Sequence, residues 1–576
     1  MVKWNLNDVH KLNERDKLIT KLKKNVEELK KSRKKLNKSL NVNDFMKIIK
    51  KSESISEISS KLAGYVGLKL TEKTNSSKLI TEEAIISELL THLGNELIFF
   101  SIWFKKLDNK QADKYISKAG KYAYYLKEIR SARKFTLTEP EEKIINLKDL
   151  TGSDAVIKTY DIITNSFKFN WKGKEITQGE LVTKVQTPKK EDRHEAYQTL
   201  FKKYNENSTV LGEIYKTIVQ DWKNENITVR GFKSPISVRN LSNDLNDKIV
   251  ESLLNVVKKN THVFQEYFKL KAKILNEKKL SRYDLYAPIK TSTKKYTYEQ
   301  SKKIVLGTFK EFSPLAYTYA KEIFDLKHVH SEVQPGKQSG AFCYTVNKDI
   351  SPYVLMNYTD TLKDLMTMMH EFGHGIHGRA ARNQTQFTFH SSLPLAETAS
   401  IFSETILENK LLKEASKKEK KSLLMYALEN QYASIQRQSF FVIFEKDAHD
   451  LIAKGATVEE LDKLYMKNLK LQFGNSLEIP DEFKHEWKYI PHIFHTPFYC
   501  YAYAFGNLLG LALAQIYEEQ GDKFVNNFMK VLATGGGDSS YNNLKKNLNI
   551  DISKESFWQK AFDYISKEVE ELKDLI

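Results

Sequence analysis

Two histidines and a glutamate are the residues of this chain whose type and spacing could do chemistry. They lie in the run His370-Glu371-Phe372-Gly373-His374. On an α-helix, side chains four residues apart share a face, with Cβ atoms about 5–6 Å apart. Both imidazoles can therefore reach one zinc ion at about 2.0–2.1 Å. Glu371 then lies beside the metal and can take a proton from a bound water. His377 falls on the same face one turn later, where it is expected behind the ligands or facing a substrate. The longer metzincin pattern needs a histidine at position 380, which is Ala380.

A catalytic zinc takes three protein ligands and keeps one position open. The best source of the third is the segment from Leu393 to Glu404. After Pro394 it reads as a second helix, antiparallel to the first, with Glu397 placed to return to the metal. Glu404 is two turns further along the same face. It is expected to hydrogen-bond a ligand histidine, the alternative being a surface-facing acid. Gly373 and Gly375 each cost a helix roughly 1 kcal/mol relative to Ala. Close packing against another backbone, or against substrate, would account for them.

Helical spacing prevails through the rest of the chain, and only 11 residues are Pro. Leu22, Val26 and Leu29 share one face of a charged helix, read as packing on its own domain rather than as a coiled-coil arm. Phe167, Phe169 and Trp171 alternate with polar residues before Lys172-Gly173, predicting a β-hairpin near residues 166–177. A boundary near Lys189 would separate an N-terminal helical lobe, 1–189, from a catalytic part, 190–576. Strand-like runs at Ser339–Val346 and Tyr353–Tyr358 precede the histidine motif. A strand beside a zinc site commonly offers its edge to an extended peptide.

The chain has 576 residues, more than one ordinary core, with 41% hydrophobic and 28% charged residues and a net charge of +18. The excess is scattered lysine with interleaved acids, and Arg, the preferred residue for phosphate and base contacts, is scarce. That reads as a solvated surface and not as a nucleic-acid face. Two cysteines, Cys343 and Cys500, cannot form a disulfide framework. The first residues are polar, and no apolar run approaches the ~20 residues needed to span a bilayer. A cytoplasmic protein without membrane partners is expected. Gly535-Gly536-Gly537 lacks the Lys-Ser/Thr of a phosphate loop and reads as a connection between helices.

Several further segments resemble the M3 family of zinc peptidases, in its oligoendopeptidase F branch. They are Tyr283-Asp284-Leu285-Tyr286-Ala287-Pro288, Gly336–Phe342, Leu395–Ser400, Tyr489-Ile490-Pro491-His492 with Phe498–Ala504, and Thr534–Gly537. The resemblance runs from about Arg193 to Trp558 and is weaker before that. Ala502, Phe494 and His495 depart from the branch pattern. The resemblance implies a mainly α, two-lobed fold with a deep central channel, a small β element near the zinc helix, and one Zn2+ per chain. It implies an endopeptidase acting on short unstructured peptides. His492 and Tyr501 are then the expected oxyanion donors, followed by Tyr499 and Tyr503, and Gly340 and Ala341 offer backbone to the peptide. A zinc carboxypeptidase or dipeptidase using the same helix motif is the enzymatic alternative. A basic nucleic-acid-binding protein with an accidental motif is the other.

Overall fold

The computed structural model describes residues 2–37, 39–289 and 294–576. Helices dominate, as the spacing predicts. The chain divides into two compact units, each assembled from three stretches. The first contains Met1–Lys134, Thr293–Leu411 and Ile516–Asp551; the second contains Phe135–Ser292, Leu412–Gln515 and Ile552–Ile576. The boundary expected at residue 189 falls inside the second unit, and the stretch 190–576 contributes to both. A chain that leaves and re-enters each unit has no single sequence position that separates them.

In the first unit, Leu22, Val26 and Leu29 of the helix Arg15–Lys31 are buried in a core with Phe45, Ile49 and Phe104. The segment Ser77–Lys106 is long and apolar enough, by length and composition, to cross a membrane. Glu88 and Glu96 interrupt its apolar residues, so the longest continuous run in it is the expected Leu97–Phe104. Its Phe99, Phe100 and Phe104 pack into that same core, and Glu96 pairs with Lys30.

A three-stranded sheet belongs to this unit. Its central strand Tyr353–Leu355 runs parallel to Val329–His330 and antiparallel to Phe342–Tyr344. The central strand is wholly buried, against Trp4, Leu6, Leu68 and Val346. Phe342–Tyr344 is an edge strand, shorter than the predicted run, because Gly340 takes a positive φ of 80° ahead of it.

The second unit holds the predicted hairpin, Lys168–Trp171 paired with Lys174–Thr177. Its turn residues Lys172 and Gly173 both have positive φ, which matches the twist of the strands they join. The Tyr283–Pro288 segment packs here too. Asp284 is buried and accepts from Arg193 Nη2 at 2.7 Å and Nε at 3.2 Å. A carboxylate taken that far from water needs such a fork of donors.

Candidate active site

The helix Leu362–Ala380 starts at Thr361, whose hydroxyl accepts from the Asp364 N–H at 3.2 Å while the Asp364 carboxylate accepts from the Thr361 N–H at 3.0 Å. This reciprocal cap fixes where the helical period begins, and hence which face carries His370 and His374. Their rings stand 4.9 Å apart, edge to face. The helix Leu393–Glu414 brings Glu397 to them. Glu397 Oε2 lies 3.4 Å from His370 Nε2 and 3.3 Å from His374 Nε2. Two atoms bound tetrahedrally at 2.0–2.1 Å are about 3.3–3.4 Å apart. The spacing of Glu397 Oε2 from each imidazole thus fits a zinc-type ion, and the three donor atoms, all within 4.8 Å of one another, form a group able to hold one.

Gly373 explains how the two helices come so close. A Cβ there would meet Ser400 Cα at 2.5 Å and Ala399 O at 2.7 Å, which are backbone atoms of the facing helix. Any side chain would force the helices apart and carry Glu397 away from the imidazoles. Glu404 accepts from, or shares a proton with, His370 Nδ1. That contact fixes the ring with Nε2 directed at Glu397.

Glu371 is buried, and burial raises its carboxyl pKa, an effect that His370 and His374 partly offset. For Glu397 burial acts in the same sense, but hydrogen bonds from the two imidazoles overcome it and hold the carboxylate ionised. His370 shows the converse. Burial disfavours its charge, and Glu404 and Glu397 more than restore it in the metal-free protein.

These residues line a cavity of about 430 Å³, together with Ala341, Cys343, Thr345 and His390. His377 lines it as well; it is 6% exposed and its Nε2 has no hydrogen-bond partner among the described residues. Burial lowers its pKa to about 3, so the imidazole is neutral. Ala341 reaches the cavity, whereas the Gly340 carbonyl accepts from Asn357 Nδ2 at 3.0 Å.

His390 escaped the sequence argument, and its signal lay in Gly535-Gly536-Gly537. A Cβ on Gly535 would meet Phe389 O at 2.6 Å, and one on Gly536 would strike His390 O. The Gly536 N–H donates to Thr388 O at 2.8 Å. The glycines are a floor for the Thr388–His390 backbone, which forms a wall of the cavity.

The other expected residues lie in the second unit. His492, Tyr499 and Tyr503 are half-exposed and gather their rings within 6.3 Å of one another. Tyr501 does not join them. It is 0% exposed, and its hydroxyl accepts from Asn243 Nδ2 at 2.8 Å inside the core. The expectation that Tyr501 is a leading oxyanion donor is therefore corrected. A helix starts at Tyr501, so residues four apart, 499 and 503, fall on one side while 501 turns inward. Burial, the largest influence on it, pushes the Tyr501 hydroxyl pKa upward. Phe494, one of the departures from the family pattern, stacks on Tyr160 at 3.9 Å in the same core.

With this geometry in place, comparison with known proteins identifies its relatives. Residues 184–564 match the model of peptidase family M3, and residues 103–169 match that of oligopeptidase F. An oligoendopeptidase F homolog of Borreliella burgdorferi is 29% identical over 93% of this chain and 92% of its own. The oligopeptidase PepF of Bacillus subtilis is 28% identical over 79% of this chain and 69% of its own. Among solved structures, oligoendopeptidase-F from Enterococcus faecium superposes with a TM-score of 0.72 at 21% identity, covering 98% of this chain and 99% of that one. At this identity the likeness speaks for the fold.

Proposed function

Because the chain belongs to peptidase family M3 and to its oligoendopeptidase F branch, an oligopeptide-cleaving metallo-endopeptidase, we propose that zinc is its metal and that His370, His374 and Glu397 hold it. The observation that carries this is the convergence of two Nε2 atoms on one Glu397 oxygen at 3.4 and 3.3 Å. Zinc bound there supplies Lewis acidity and brings the pKa of a water to near 7.

The chain's own residues do the rest. Glu371, in a buried position between the imidazoles, takes a proton from the attacking water and returns it to the leaving amine. Burial raises its basicity, an effect that the two imidazoles partly offset. Glu404 holds the His370 ring in its orientation. The free edge of Phe342–Tyr344, with Ala341 at the cavity, aligns an extended peptide through backbone hydrogen bonds. His377 presents an unused ring nitrogen to the substrate. His492, Tyr499 and Tyr503 are the donors assigned to the developing oxyanion. Short peptides are the partners of this reading. Two unpaired cysteines support a reducing, cytoplasmic setting.

Metal analysis combined with digestion of one peptide blocked at both ends tests the whole proposal. We expect one zinc per chain and internal cleavage that chelation abolishes. No cleavage of the blocked peptide, with release of terminal residues from its unblocked form, would favour the carboxypeptidase or dipeptidase reading. Equal hydrolysis by chelator-stripped protein would overturn the proposal.

A further inference from the structure

In the second unit, two arginines share one carboxylate. Arg282 Nη2 donates to Glu486 Oε1 at 2.7 Å, and Arg437 Nη2 approaches the same oxygen at 3.4 Å. The other Glu486 oxygen accepts from Tyr465 Oη at 3.1 Å. Arg282 Nε and Nη1 and Arg437 Nε have no acceptor among the described residues. Two positive charges are thus set against one negative charge in a site largely closed to water. An unmatched buried charge is costly, and a second carboxylate would relieve it.

Arg437 is the member a ligand can reach. Its side chain is 23% exposed, against 1% for Arg282. Its guanidinium lies over the Phe441 ring at 4.9 Å, which limits its freedom before anything binds. It opens the helix Arg437–Ile452 directly after the π-helical turn Tyr432–Gln436. Such turns are frequent at functional sites. Its charge acts on Tyr489 and His492, both half-exposed residues of the same unit.

We propose that Arg437, backed by Arg282 and Glu486, anchors a carboxylate of the peptide substrate, in the first place the C-terminal one. The proposal rests on the oligopeptidase reading above and adds a specificity that the metal site does not contain. A guanidinium offers two parallel N–H groups to a carboxylate, a fit that lysine cannot match. The net charge of +18 favours the arrival of anionic peptides. An ion pair with a purely structural role would leave peptide affinity indifferent to the terminal group.

The test reads binding without turnover. An N-terminally fluorescein-labelled octapeptide is titrated by fluorescence anisotropy into the full chain carrying Glu371→Gln. Three forms are compared: free acid, C-terminal amide, and an amide whose last residue is Glu. The free acid is expected to bind about tenfold more tightly than the amide. Adding Arg437→Gln should bring the free acid to the affinity of the amide, and Arg437→Lys should restore part of the gap. If the Glu-amide gains the same Arg437-dependent affinity, the site takes a side-chain carboxylate as well; if it does not, the site takes the terminus alone. Equal affinity for all three forms, or a gap that survives both Arg437 variants, overturns the proposal. Failure of the wild-type chain to hydrolyse any peptide would strike the peptidase reading instead, leaving the measured affinities to decide this one.

Discussion

The His370–Glu404 cluster and the His492–Tyr503 cluster are both assemblies of rings and polar side chains, but the chain specifies them differently. In the first, one helical period sets two histidines on one face, and a glycine lets a second helix deliver Glu397. In the second, the outcome depends on the residue at which a helix begins. Starting at Tyr501, it keeps Tyr499 and Tyr503 beside His492 and sends Tyr501 to Asn243. Chemistry laid along one helix tolerates an error of a residue or two in the helix limits. Chemistry placed across a helix start does not.

Four measurements would break or sharpen that contrast. The largest effect is expected for Glu371→Gln, with kcat on a quenched peptide lower by about 10³–10⁴-fold at unchanged zinc content. Near-normal turnover would remove Glu371 from its role. Next, Tyr503→Phe is expected to lower kcat by about 10²–10³-fold. Tyr501→Phe should leave kcat close to wild type and cost about 1 kcal/mol of stability, from the lost Asn243 bond. If Tyr501→Phe proved the more damaging to kcat, the distinction between inward and outward tyrosines would fail. Third, Glu404→Ala should weaken zinc binding by about 10–100-fold in a competition assay with a chromogenic chelator, since the His370 ring loses its support. Unchanged affinity would reduce Glu404 to a bystander.

The smallest effect concerns the anchor of the second cluster. Glu445 Oε1 accepts from the Phe498 N–H at 2.7 Å, next to Tyr499. Burial raises the Glu445 pKa to about 8, against the opposing pull of that N–H and of Arg239. Between about 4.3, the unfolded value, and about 8, the unfolded chain has released this proton and the folded one has not. This contribution to stability is complete below that window and declines as pH rises through it. Gln can still accept from Phe498 and does not titrate. The melting temperature of Glu445→Gln should therefore gain on wild type by roughly a few degrees between pH 5 and pH 8. A constant gap would show that Glu445 is ionised in the fold throughout.

Much of the candidate site was legible in the sequence. His370, His374 and Glu371 follow from one spacing rule, and Glu397 and Glu404 follow from one helix returning antiparallel. The helical character and the hairpin with its Lys172-Gly173 turn came from local patterns of the same kind. The rest depended on contacts between distant parts of the chain. No spacing relates His390 to Gly536, or Arg437 to Arg282 and Glu486. The division into units was hidden for the same reason, since each collects three separate stretches.

The glycine floor under Thr388–His390 has a consequence for synthesis. The helices Leu362–Ala380 and Leu393–Glu414 are made well before residues 535 and 536, against which a wall of their cavity rests. A nascent chain paused on the ribosome before that point has its histidines and glutamates but an unfinished binding wall. Two small residues, more than 140 positions after His390, thus decide when that wall can close.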